Sequence, residues 1–209
     1  MSEPTSRVYL LLPGDATPAI ADTLQQMLQV TKVAAILLWS PGRDDEATGS
    51  LVGAVCNAVH PLGVPVLIGG VGAVIQAFGA DGIHAEGDEK MLKAIVATHA
   101  PARMVGAGNI WNKHDAMLRG EGHVDYVLFG SADPARSIDA ERIAGLSQWW
   151  SEVFEVPCIA MAGSQADARA AIDAGADFVA VRDCIWAHEQ GPVAGLAALD
   201  NALREEEPA

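Results

Sequence analysis

Eight short apolar runs, each followed by a stretch with helical spacing, recur along the chain without interruption. The runs cover residues 8–12, 33–39, 64–68, 82–84, 104–107, 126–129, 158–161 and 178–181. None alternates with polar residues, which predicts strands covered on both faces, and such strands belong to parallel sheets. Helices are expected from Asp15 or Thr17 to about residue 30, around Leu51, Val55 and Val59, and over 71–78, 88–99, 112–121, 137–154 and 193–204. One more runs from Ser164 to the Ala174-Gly175 stop, where glycine suits a left-handed helix end. Strict strand–helix alternation marks an α/β chain, and eight units closing on themselves make a (β/α)8 barrel, the TIM-barrel architecture. At 209 residues the chain fits one such domain, 1–209, with no linker or low-complexity tract.

An internal echo agrees with this. Gly79-Ala80-Asp81 precedes the fourth run and Gly175-Ala176-Asp177 the eighth, about four units apart, and Asp125 stands likewise before the sixth. Aspartate suits helix-to-strand turns because its carboxylate accepts backbone N–H groups.

Charge limits the partners. Lys and Arg number 13 against 27 Asp and Glu, a formal net charge of -14, which argues against nucleic acid or an anionic membrane as partner. An anionic ligand must then be held by a local cluster or by helix ends. Part of the excess lies in the tail Glu205-Glu206-Glu207. The N-terminal apolar run breaks at Pro13, too short for a signal peptide or a membrane span. Cys56, Cys158 and Cys184 are odd in number and widely spaced, as expected of a reducing, cytoplasmic compartment. Trp149-Trp150, on the long helix, is a candidate contact in a homo-oligomer.

In a barrel of this kind sites are built from the loops after the strands. The loop after the seventh run, Ala162-Gly163-Ser164, opens a helix with Ser164 as cap and Asp167 at nearly the capping-box spacing. Its backbone N–H groups and positive helix end make an anion site, and Arg182-Asp183 after the eighth run reach the same mouth. Simple capping, with Arg182 paired to Asp183, is the plainer reading of the same residues. Glu86 and Asp88 follow His84 and could hold Mg²⁺, which prefers oxygen ligands; as loop acids they could equally be solvated. Arg136, near Ser131 and Ser137, could clamp an anion. Trp39, Trp111 and Trp186 fall near strand ends, where an indole can stack on a heteroaromatic ring or simply pack. No P-loop, zinc spacing, nucleophile elbow or dinucleotide fingerprint is present.

With these residues in view, the chain resembles the thiamine phosphate synthase and thiazole tautomerase family. The carriers are G-A-D-G-I-H at 79–84 with acids after it, D-Y-V-L-F-G at 125–130, A-M-A-G-S at 160–164, and A-G-A-D-F-V-A-V at 174–181. The likeness covers most of the chain and is strongest over 79–186. It implies the (β/α)8 barrel and a synthase that joins a thiazole phosphate to an aminopyrimidine carrier, releasing pyrophosphate with Mg²⁺ on the leaving group. It implies that thiazole phosphate sits on Gly163, Ser164 and the Arg182 region, with Trp39, His84, Gly108, Asn109, Gly130 and Ser131 around the ring and pyrophosphate pocket. The departures are equally specific. Basic residues expected at the end of the second strand are replaced by Leu38-Trp39-Ser40, with Arg43 the nearest cation. An Asn-Asp pair after the third strand is Gly69-Gly70, and the acid loop after His84 is shifted, leaving Asp88 or Glu89 as the second ligand. The Thr and Lys expected after the sixth strand are absent, with Arg136-Ser137 as stand-ins, and Ile110-Trp111 stands where the tautomerase carries its histidine. Three readings follow: a divergent synthase using Arg43 and Arg136 on pyrophosphate, a paralogue that binds a phosphorylated heterocycle without turnover, and a different isomerase on the same phosphate corner.

Overall fold

A computed structural model describes residues 6–40, 44–70 and 78–204. Arg43, the helix expected over 71–78 (save Phe78) and the acidic tail lie outside the described residues. The elements are β1 (Val8–Leu11), α1 (Ile20–Val30), β2 (Ala35–Trp39), α2 (Asp45–Val59), β3 (Val66–Gly70), β4 (Gly82–Ala85), α3 (Glu89–His99), β5 (Met104–Ile110) and α4 (Lys113–Gly120). They continue with β6 (Tyr126–Phe129), α5 (Ala140–Val153), β7 (Cys158–Ala162), α6 (Gln165–Asp173), β8 (Phe178–Val181), α7 (Asp183–Trp186) and α8 (Pro192–Arg204). The eight strands form one closed barrel in sequence order, every pair parallel, with β1 beside both β2 and β8. Among the described residues no helix is long and apolar enough to cross a membrane.

Two strands run further than periodicity implies. β3 continues through Gly69-Gly70, past the expected end at 68, and β5 through Gly108-Asn109-Ile110, past the expected end at 107. The reason is steric. A Cβ on Gly69 would lie 2.7 Å from Trp39 Cε3, one on Gly106 1.9 Å from the Tyr126 ring, and one on Gly108 2.5 Å from His84 Nε2. These glycines mark close approach of large side chains to the barrel wall, not ends of strands. The four-residue α7 was not expected; it is the first turn after β8.

The aspartate echo is a set of identical brackets on the floor of the barrel. Asp81 accepts from Val66 N (2.8 Å), Asp125 from Val105 N (2.7 Å) and Asp177 from Cys158 N (2.8 Å). Each aspartate's own N–H donates back to the same residue's carbonyl. Each bracket ties a strand start to the next strand, satisfying backbone groups that the helix-to-strand turns would otherwise leave unpaired. In the first unit Ala34 keeps the backbone half of the bracket, and Ser6 Oγ accepts from Val8 N instead.

At the opposite end five helices start with side-chain caps: Asp44, Asp88, Asn112, Asp139 and Ser164 each accept the N–H three residues on. The first helix does not start at Asp15 or Thr17 as expected; α1 begins at Ile20, after Ala19, with no side-chain cap. Trp150 is buried against Phe129 and Phe154 and donates to Val156 O, so it is a core residue and leaves only half-buried Trp149 for contact with another copy. Cys56, Cys158 and Cys184 are free thiols, and burial pushes Cys158 up to about 12.

Candidate active site

A hydrogen-bonded ladder crosses the barrel interior towards the mouth. Tyr9 Oη and Tyr126 Oη are 2.9 Å apart, Tyr126 Oη is 3.0 Å from His84 Nδ1, and His84 Nε2 is 3.1 Å from Glu86 Oε1. β1 and β6 are not neighbours, so the tyrosine pair spans the interior. An ionised Glu86 only accepts, so His84 Nε2 carries a proton; in the neutral ring Nδ1 then accepts from Tyr126. The Tyr126 and His84 rings stack at 5.7 Å and 6°. Burial raises both tyrosine pKa values, so the phenols stay neutral.

Glu86 is itself buried, and its carboxylate takes part in three hydrogen bonds within the protein. Beyond His84, it accepts from Ser131 Oγ and from Ala132 N. Gly130, with φ of +94°, turns the chain out of β6 and exchanges two backbone bonds with Ile110, which delivers Ser131 and Ala132 to Glu86. Ala132 O then accepts from Arg182 Nη1 at 3.1 Å. Arg182 is buried too, and its Nε and Nη2 grip the Asp183 carboxylate at 2.9 and 3.1 Å. Asp183 is held below the usual aspartate range by that hydrogen-bonded guanidinium, against a smaller opposing effect of burial.

β7 and β8 pair with Ala162 beside Val181, so Gly163-Ser164 and Arg182-Asp183, the residues expected at one mouth, leave adjacent strands together. The Gly163 amide is not free, however. Gly163 N donates to Asp167 Oδ2 at 3.2 Å, while Ser164 Oγ accepts from Asp167 N at 3.1 Å. The expected open amide is covered by a carboxylate, because Asp167, in the first turn of α6, faces back over the helix start.

The other expected residues separate into distinct settings. Arg136 is exposed on the β6 loop. Asn109, with φ of 57°, accepts from Trp111 Nε1 at 2.8 Å. Trp186 Nε1 is tied to Leu11 O at 2.7 Å. Trp39 is buried at the end of β2, edge-on to His84 at 6.3 Å. Asp88 caps α3 through Met91 N. With Asp88 capping α3 and Glu86 buried and bonded to His84, Ser131 and Ala132, the two acids do not fit Mg²⁺ as they stand, and among the described residues no three His, Cys, Asp or Glu side chains could hold a metal together.

Sequence reasoning missed Tyr9, Tyr126 and Asp167 as members of this site. The signal for the first two was present: the chain has two tyrosines, both inside apolar strand runs, and a buried phenol needs a partner.

Residues 8–185 match the family described as thiamine monophosphate synthase, TMP-TENI. A thiamine-phosphate synthase of Hyphomonas neptunium is 34% identical over 97% of this chain and 95% of its own. One of Rhodospirillum centenum is 30% identical over 95% and 98%. Among solved structures, a thiamine phosphate pyrophosphorylase from Pyrococcus furiosus superposes with a TM-score of 0.76 over 94% of this chain and 95% of its own, at 17% identity. Closed parallel barrel, motif order and near full-length similarity agree, and the chain belongs to the thiamine monophosphate synthase family.

Proposed function

We propose that this protein is a thiamine phosphate synthase, joining a hydroxymethylpyrimidine diphosphate to a thiazole phosphate with release of pyrophosphate. The observation that carries the reading is similarity to synthases over nearly the whole barrel. The leaving pyrophosphate departs from a benzylic-type carbon, so the chemistry demands stabilisation of developing anionic charge and positioning of two rings. Arg136 and Arg43 are assigned to the pyrophosphate. Ala162, Gly163, Ser164, Arg182 and Asp183 are assigned to thiazole phosphate, which must displace Asp167 from the Gly163 amide. Trp39, His84, Gly108, Asn109, Gly130 and Ser131 shape the ring and pyrophosphate pocket. Mg²⁺ would neutralise a diphosphate, but Glu86 and Asp88 in their present bonds do not fit it, and no step is assigned through them.

A second reading, a paralogue that binds a phosphorylated heterocycle without turnover, is favoured by one observation: Glu86, Arg182 and the Gly163 amide all spend their polar groups on the protein itself. A pyrophosphate-release assay with both substrates and Mg²⁺ separates the two. Release above background supports the synthase. No release, with thiazole phosphate still raising the melting temperature, overturns it in favour of the paralogue. Gly163→Asp, which puts a negative charge at the start of α6, should abolish that thermal shift.

A further inference from the structure

The ladder Tyr9–Tyr126–His84–Glu86 is a run of buried polar side chains that the proposed reaction leaves without a task. Barrel interiors are filled chiefly by branched apolar side chains, and well-packed apolar residues would stabilise the core at least as well as a polar network. Yet the chain makes room for this one. Two glycines of β5 clear its path: a Cβ on Gly106 would lie 1.9 Å from the Tyr126 ring, and one on Gly108 2.5 Å from His84 Nε2 and 2.8 Å from Glu86 Oε1. His84 has no exposed surface and both its ring nitrogens are engaged, so it does not itself touch a substrate. What the ladder does reach is the loop after β6. Glu86, its last member, accepts from Ser131 Oγ and from Ala132 N.

We propose that Tyr126, with Tyr9 behind it, is a positioning residue for the pyrimidine diphosphate substrate, acting through His84 and Glu86 on the Ser131-Ala132 loop. This rests on the synthase reading, in which Gly130 and Ser131 shape the ring and pyrophosphate pocket. The donors all point one way. Ionised Glu86 only accepts, so His84 gives it the Nε2 proton, and Nδ1 accepts from Tyr126. The phenol of Tyr126, its one proton so used, accepts in turn from Tyr9. The chain of bonds holds the imidazole against rotation, because a flipped ring would turn carbon atoms towards both Tyr126 and Glu86. Tyr126 stacked on one face at 6° and Trp39 edge-on at 64° fix its tilt. With the ring fixed, the Glu86 carboxylate keeps one orientation and so does the backbone at Ala132. The loop is in place before substrate arrives, and such preorganisation adds affinity without a direct contact. Arg182 touches the same loop at Ala132 O, but Asp183 holds it independently through two bonds, so the residues assigned to thiazole phosphate depend less on the ladder.

The test is calorimetric titration of the intact wild type, Tyr126→Phe and Tyr9→Phe with an aminopyrimidine diphosphate and Mg²⁺, and separately with thiazole phosphate. Tyr126→Phe should weaken the pyrimidine diphosphate about 5- to 10-fold, the worth of one hydrogen bond. Tyr9→Phe leaves Tyr126 bonded to His84 and should weaken it only about 2-fold. Thiazole phosphate should bind nearly unchanged to both. In ¹⁵N spectra of histidine-labelled protein, His84 is identified by its through-space contacts to Trp39 and Tyr126. Its proton should sit on Nε2 in the wild type, and its Nδ1 signal should move downfield in Tyr126→Phe as the donor is lost. A lesion that is merely structural would lower the melting temperature and weaken both ligands alike, which overturns the inference. So does wild-type affinity for the pyrimidine diphosphate in Tyr126→Phe, or a wild-type His84 ring protonated on Nδ1. If Tyr126→Phe does not fold, Tyr9→Phe decides by the same selective loss or its absence. Pyrophosphate release with equal affinities in all three proteins overturns this inference alone; the selective loss without release by the wild type overturns the synthase reading alone.

Discussion

Glu86 and Arg182 hold the backbone of one residue between them: the N–H of Ala132 donates to the Glu86 carboxylate, and the carbonyl of Ala132 accepts from the Arg182 guanidinium. Both side chains are buried, and they belong to strand ends on opposite sides of the β6 loop. Together they fix the loop between β6 and α5 through its backbone. Arg182 is therefore a strut first and a phosphate ligand only if Asp183 or Ala132 releases it.

Removing one partner should be costly. Glu86→Gln keeps the volume but cannot accept from His84, Ser131 and Ala132 at once, leaving at least one buried donor unpaired. A loss of about 2–4 kcal/mol is expected, read from urea unfolding at neutral pH. A loss below about 0.5 kcal/mol would show that the carboxylate is not the fastener of this loop.

Two glycines predict opposite outcomes for the same change. Gly108→Ala would put a Cβ 2.5 Å from His84 Nε2 and 2.8 Å from Glu86 Oε1, and should cost about 2 kcal/mol. Gly145, exposed within α5, has nothing within 4 Å of a built Cβ, so Gly145→Ala should stabilise by about 0.5–1 kcal/mol. Melting temperatures of the two variants, moving in opposite directions, check both.

At the start of α6, Asp167 occupies the Gly163 amide that the proposed function offers to a phosphate, and would compete with it. Asp167→Asn removes the charge while keeping an acceptor for the backbone, and should tighten binding of a phosphate monoester about 5- to 10-fold at low salt. Calorimetric titration of both proteins with the same monoester decides it; equal affinities would mean that the carboxylate swings clear at no cost.

The Asp183 carboxyl titrates below its ordinary value because Arg182 donates to it. A depressed folded-state pKa contributes stability that is present above the unfolded aspartate pKa of about 3.9 and is lost as pH falls through the lower folded value. Asp183 is 73% exposed in its side chain, so the effect is small. Unfolding free energies between pH 5 and pH 2.5 should fall more steeply in the wild type than in Asp183→Asn, the two slopes converging near neutrality.

The architecture was open to reading from the residues in line. Apolar runs without alternation, Ser164 and Asp88 before helices, and Gly175 with φ of +94° after one all act on neighbours in the chain. Their physics is local, so their meaning survives in one dimension; the aspartates before β4, β6 and β8 were legible as turn residues, but their partners, 15 to 20 positions back on the preceding strand, were not. The errors in the strands came from Gly69 and Gly106–Gly108, where a breaker in sequence is an accommodation in space: nothing near them along the chain announces Trp39, Tyr126 or His84.

The sequence alone determined the eight-fold alternation, the loops that face the mouth and the family they resemble, because periodicity, capping and turn chemistry are set by adjacent residues. Only the closed barrel decided that Glu86 and Arg182, 46 and 50 positions from Ala132, would grip it together, and that Tyr9 would meet Tyr126, 117 positions away, across the interior. Such contacts exist only once β1 meets β8, since closure, not chain proximity, brings those groups within bonding distance.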